Sequence, residues 1–146
     1  MSTFKFRLQS VYELRQQLEK EQKERFSSET ERLNRMLAFN ETLKREHSGW
    51  SQKFLEEAAV GISPADAVQI HGYLSEIEEL QKQNEKRINS QIALVESERG
   101  RLVTKMQDRK IVETMRDRHF TVFNAQEQKK QETEVEEVVA ARLQRG

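Results

Sequence analysis

Apolar residues recur along this chain at alternating steps of three and four, with polar stretches between them. Phe4, Leu8, Val11 and Leu18 follow that spacing, with Arg15 filling one position of the series. Phe26, Leu33, Met36, Asn40, Leu43, His47, Trp50 and Phe54 continue it. Such spacing puts a narrow stripe on one face of an α-helix, the seam by which two helices pack. The step from Leu18 through Gln22 to Phe26 is four plus four, which predicts a stutter that locally unwinds the supercoil. Arg15, Gln22, Asn40 and His47 make the seam impure. Polar seam residues lower stability and can fix register, or they are simply tolerated on a solvated helix. Gly49 costs about 1 kcal/mol relative to Ala inside a helix. Either it admits a close partner beside Trp50, or a long helix absorbs the loss.

One short stretch interrupts the pattern. Pro64 is the single proline, and it lies in Gly61-Ile62-Ser63-Pro64. Gly61 can take the left-handed position that ends a helix. Ser63 then caps the next helix, Pro64 takes its first position and Asp66 its third. Beyond the corner run Ile70, Leu74, Ile77, Asn84, Ile88, Val95 and Leu102, then Met106, Phe120 and Phe123, with a phase drift between Leu102 and Met106. The pattern predicts an all-α fold: a long antiparallel two-stranded coiled-coil hairpin, one elongated domain over residues 1–146. Helix 1 covers about 3–59, the corner 60–63 and helix 2 about 64–142. At 1.5 Å per residue the first helix is about 80–90 Å long and the second about 110–120 Å. Folded about the corner, the start of helix 1 faces roughly residues 118–123, so the chain beyond Phe123 has no partner of its own. Val135, Val138, Val139, Ala141 and Leu143 there make an amphipathic end suited to folding or docking on a partner.

Composition sharpens this picture. Apolar residues are 35% and charged residues 34% of 146, too few and too many for an ordinary globular core. Lys+Arg and Asp+Glu are 25 each, so there is no bulk attraction to nucleic acid. The absence of cysteine removes disulfides and thiolate nucleophiles. No apolar run is long enough to cross a bilayer, and the N-terminus lacks the apolar core of a secretory signal, which points to the cytosol.

A helix pair offers no shielded cavity for catalysis, and the sequence holds no phosphate loop, metal motif or nucleophile elbow. The chain is therefore read as non-enzymatic, with no cofactor. His47 and His71 fall at similar heights above the corner, but no further ligand spacing supports a metal site. Arg99, Arg101, Lys105, Arg109, Lys110, Arg116 and Arg118 form the densest basic stretch, interrupted by Asp108, Glu113 and Asp117. It suits an acidic protein or an anionic membrane surface, or plain solvation. Phe39, Trp50 and Tyr73 are large rings on a thin helix pair, and together with Leu43, Ile77, Leu80 and Asn84 they lie near the corner. One opposing helix cannot cover them all, so some are interface anchors.

Particular motifs carry a family resemblance. Phe4-Lys5-Phe6-Arg7-Leu8-Gln9-Ser10-Val11 followed by Arg15 and Glu19, the bend at Gly61-Ile62-Ser63, and the closing Glu127-Gln128-Lys129-Lys130 with Arg142 together resemble the FliJ family of the bacterial flagellar type III export apparatus. The closing motif departs from the family's Asp-Glu continuation, with Glu132-Thr133 in its place. The resemblance covers essentially the whole chain. It implies an antiparallel coiled coil similar to the central stalk of rotary ATP synthases, and a role as stalk and general chaperone of flagellar protein export. The implied partners are the hexameric export ATPase FliI, the cytoplasmic domain of the export gate FlhA, and other export chaperones. The implied place is the cytoplasm, peripherally at the inner membrane. The resemblance assigns Phe4, Phe6, Leu8, Val11, Arg15, Glu127, Gln128, Lys129 and Arg142 to the ATPase end. It assigns Phe39, Leu43, Trp50, Tyr73, Ile77, Leu80 and Asn84 to the gate. Two other readings stand beside it: the equivalent stalk of an injectisome, and a generic coiled-coil scaffold.

Overall fold

The computed structural model describes residues 2–146, and they form two helices: α1, Gln9–Val60, and α2, Pro64–Arg145. Both are rich in Glu, Lys, Gln, Arg and Leu, the residues that lose least in a helix. No proline lies inside either, because Pro64 takes the first position of α2, where its missing N–H would be unpaired anyway. The interior glycines Gly49, Gly72 and Gly100 face open space, with nothing within 4 Å of an added Cβ. Among the described residues none outside its own helix comes close to Gly49.

The corner forms as its chemistry predicts, over residues 61–63. Gly61 has φ +110°, a conformation open to glycine, and its N–H donates to the Glu57 carbonyl at 3.0 Å, closing α1. The Ser63 hydroxyl accepts the Asp66 N–H at 3.2 Å and the Ser63 carbonyl accepts the Ala67 N–H at 3.0 Å, opening α2.

The start of α1 corrects the predicted helix from about residue 3. Residues 2–6 are not helical, and Gln9 donates to the Phe6 carbonyl at 3.1 Å as the chain turns into α1. The physical reason is the spacing of Phe4 and Phe6. Two residues apart is the period of extended chain, and an extended segment can lay both rings on α2. At the other end, α2 runs on to Arg145, past the predicted end near 142.

The contacts cluster in two units. The corner unit is Lys23–Arg101. It is a helical hairpin whose seam buries Leu43, Ile70, Ile77, Ile88 and Val95. Asn84, Gln91 and Glu98 are buried in the same stripe, each seven residues from the next and in step with Ile70 and Ile77. Each finds a partner. Asn84 Nδ2 donates to the Met36 carbonyl at 3.2 Å, Gln91 Nε2 to the Glu29 carbonyl at 2.9 Å, and Glu98 accepts from Arg101 at 3.1 Å. Asn40 Oδ1 is buried with no hydrogen bond among the described residues.

The terminal unit comprises the residues up to Gln22 together with Leu102–Gly146. It pairs the start of α1 with the later part of α2, and its buried side chains are Phe6, Gln22 and Val112. In α1 the covered positions include Leu18, Gln22 and Phe26 at steps of four and four, and half-buried Glu19 lies beside Leu18. In α2, Met106 is exposed, and half-buried Lys105 and Arg109 carry the series on to Val112 instead. In both places polar residues occupy seam positions, so the apolar pattern alone does not mark the whole stripe.

Candidate partner-binding surfaces

In the terminal unit the non-helical N-terminal segment is strapped onto α2 by aromatic rings. Phe4 meets Phe120 edge-on at 5.2 Å between centroids and Phe123 at 5.4 Å. Phe6 meets the His119 ring edge-on at 5.5 Å. Edge-on pairs set the positive rim of one ring against the negative face of the other. The Arg116 guanidinium lies 5.9 Å from the Phe4 ring and 5.8 Å from the Tyr12 ring, and its Nε donates to Gln9 Oε1 at 3.2 Å.

A ladder of charge-assisted bonds continues along α1. Arg15 Nη1 donates to the Asp108 carbonyl at 2.6 Å, and Arg109 Nε to Glu19 Oε2 at 2.5 Å; Arg109 also pairs with Glu113. The hydrogen bond to Glu19 holds the Arg109 guanidinium above its usual pKa. Burial opposes that shift, and the negative charge of Glu19 and Glu113 adds to it.

The residues assigned to the ATPase end thus play different parts. Phe6 is buried and Phe4, Leu8, Val11 and Arg15 are half-buried, so they build the end of the helix pair. Gln128, Lys129 and Arg142 are exposed on α2, and half-buried Glu127 lines an open cleft of about 670 Å³ with Ser2, Phe123 and Lys130. Beyond that cleft α2 stays helical with Val135, Val138, Val139 and Leu143 exposed.

The gate set divides in the same way within the corner unit. Leu43, Ile77 and Asn84 are buried in the seam, so they hold the hairpin together and present no surface. Phe39, Tyr73 and Leu80 are exposed at 47%, 37% and 41%. Trp50 is half-buried, 4.8 Å from the Tyr73 ring, with Lys53 Nζ 5.0 Å from its own ring. His47 Nε2 lies 3.0 Å from Glu78 Oε1, and His71 is exposed. Among the described residues no group of three or more His, Cys, Asp or Glu could hold a metal ion.

Arg109, Arg116 and Gln91 bond across to α1 without having been singled out for it in the sequence, and Glu98 is buried in the same seam. Counting sevens onward from Ile70 and Ile77 would have found Gln91 and Glu98. Arg109 and Arg116 carry no such mark amid many arginines. Among the described residues no helix is long and apolar enough to cross a membrane.

No curated protein and no solved structure matches the chain. The model of the family described as Flagellar FliJ protein matches residues 4–146, and the chain, with its two helices joined at Gly61–Ser63 and its aromatic N-terminal strap, belongs to the FliJ family.

Proposed function

We propose that this chain is a non-enzymatic stalk that couples the hexameric export ATPase FliI to the export gate FlhA in the cytoplasm, peripherally at the inner membrane. Membership of the FliJ family supports a general role as flagellar export chaperone or stalk. The observation that carries the finer reading is the split in the terminal unit. Rings and guanidinium groups clamp the N-terminal segment to α2, while the helix beyond Phe123 keeps its apolar side chains exposed. A stiff end with an uncovered helix is what insertion into a ring requires. On the corner unit, Phe39, Tyr73, Leu80 and the open edge of Trp50 form the surface for the gate. The helices pair as an antiparallel coiled coil, which gives each side of the stalk a different set of groups. An asymmetric shaft in a near-symmetric ring favours some subunit conformations over others, and binding that differs between states shifts their populations.

The test is FliI hexamer formation and ATP hydrolysis with and without the full chain, and with Arg142→Glu. The chain raises both and the variant raises neither. In a parallel arm, Trp50→Ala with Tyr73→Ala weakens binding to the FlhA cytoplasmic domain without loss of helicity. If wild-type chain leaves FliI unchanged, the stalk role falls; if the double variant binds as well as wild type, the gate surface falls.

A further inference from the structure

We infer that the later part of α2 is a self-association site, on which two copies of this chain pair as an antiparallel, two-fold symmetric dimer centred on Ala125. One face of α2 carries an open groove of about 610 Å³, lined by Lys110, Ile111, Met115 and Arg118 among others, with Ile111 58% exposed. The groove joins apolar side chains to positive charge. Further along the same helix, exposed Glu132 is followed over the next two turns by Val135 and Val139, 62% and 51% exposed. The two stretches complement each other: one is apolar and basic, the other apolar and acidic.

Their positions fix the partner. Ile111 and Val139 each lie fourteen residues from Ala125, Met115 and Val135 ten, and Arg118 and Glu132 seven. Reversing the helix about Ala125 therefore sets apolar against apolar and cation against anion. Arg118, Ala125 and Glu132 are each seven residues from the next, which keeps them on one stripe, the requirement for packing against a second helix. Ala125 at the centre has a side chain small enough for two helices to approach closely. Among the described residues neither Arg118 nor Glu132 has an ion-pair partner, whereas Arg109 has two.

The chain cannot satisfy this stripe by itself. α2 is unbroken from Pro64 to Arg145, so Ile111 and Val139 stay about 42 Å apart along one axis. A second copy presents the same pattern in reverse, and an isologous contact uses each pair twice. The proposed dimer covers the helix beyond Phe123 and so excludes simultaneous use of that helix on a ring, but the dimer itself does not rest on the ATPase reading.

The test uses the full chain in sedimentation equilibrium and in oxidative cross-linking, helped by the absence of native cysteine. Wild type shows a concentration-dependent monomer–dimer equilibrium. Ala125→Cys forms a disulfide-linked dimer well ahead of Ser48→Cys, an exposed site in the corner unit. Arg118→Glu and Glu132→Arg each weaken the dimer by about tenfold, since two attractive pairs become repulsive, and the double swap restores it to within about threefold. Circular dichroism stays unchanged throughout, because both side chains are exposed. A monomer at all concentrations, a double swap no better than the singles, or cross-linking of Ala125→Cys no faster than the control overturns the inference. A monomer whose α2 is captured only by FliI does so as well, since the occupant is then a different protein.

Discussion

The two units use the same pair of helices and hold them together by different means. In the corner unit, Leu43, Ile70, Ile77, Ile88 and Val95 form an apolar seam, and its buried amides bond to backbone carbonyls of the opposite helix. In the terminal unit the buried apolar side chains are Phe6 and Val112, and the helices are joined instead by ring contacts and by Arg15, Arg109 and Arg116. Added salt does not weaken burial of apolar surface, whereas half-exposed ion pairs are screened. The comparison teaches that stability along a helix pair need not be uniform. One unit is built to persist, and the other is built from contacts that salt and partners can modulate.

The largest effect tests the apolar side of that comparison. Leu43→Ala, at a position 3% exposed, costs about 2–3 kcal/mol in urea unfolding followed by circular dichroism, and the loss changes little with added salt. A cost below about 0.5 kcal/mol would mean that the seam is not the source of stability. Phe6→Ala comes next, at about 2 kcal/mol for the terminal unit, since its ring is 7% exposed and rests on His119. Hydrogen exchange of the start of α1 speeds up in that variant, while amides of the corner unit keep their protection.

Arg109→Ala sharpens the contrast. It removes the bonds to Glu19 and Glu113 and costs about 1 kcal/mol at low salt, less at high salt. Raising the pH does not imitate it. A cation whose pKa is raised on folding contributes fully below its unfolded value and loses that contribution only as pH climbs through the folded one. For this guanidinium both lie far above the physiological range, the folded one the higher. The smallest effect has the opposite sign. Asn40→Leu removes a buried, unbonded Oδ1 and adds apolar surface to the seam, raising stability by up to about 1 kcal/mol. Destabilisation there would show that Asn40 sets the pairing of the helices.

Legibility in the sequence followed the same division. The corner was readable to within one residue, with α1 running on to Val60, because a left-handed glycine, a serine cap and a proline at the first helical position have local causes. Ile70, Ile77, Ile88 and Val95 stood out because apolar spacing marks them directly. In the terminal unit the signal failed where Lys105, Arg109 and Glu19 take seam positions. A charged residue looks the same in sequence whether it faces water or bridges two helices. The gate set mixed two kinds of residue for a related reason: periodicity finds which side chains share a face, and says nothing of which lie under the opposite helix. Leu43 and Ile77 went under it, while Phe39 and Leu80 did not.

Helix, corner and helix were properties of the sequence itself, since propensity, capping and apolar period act over a few neighbouring residues. Three-dimensional pairing decided the rest. It kept Phe4 and Phe6 out of α1 so that their rings could reach α2, and it drew Arg109 to Glu19, ninety positions away along the chain. Those choices depend on which groups the opposite helix brings near, and that is set only when the two helices meet.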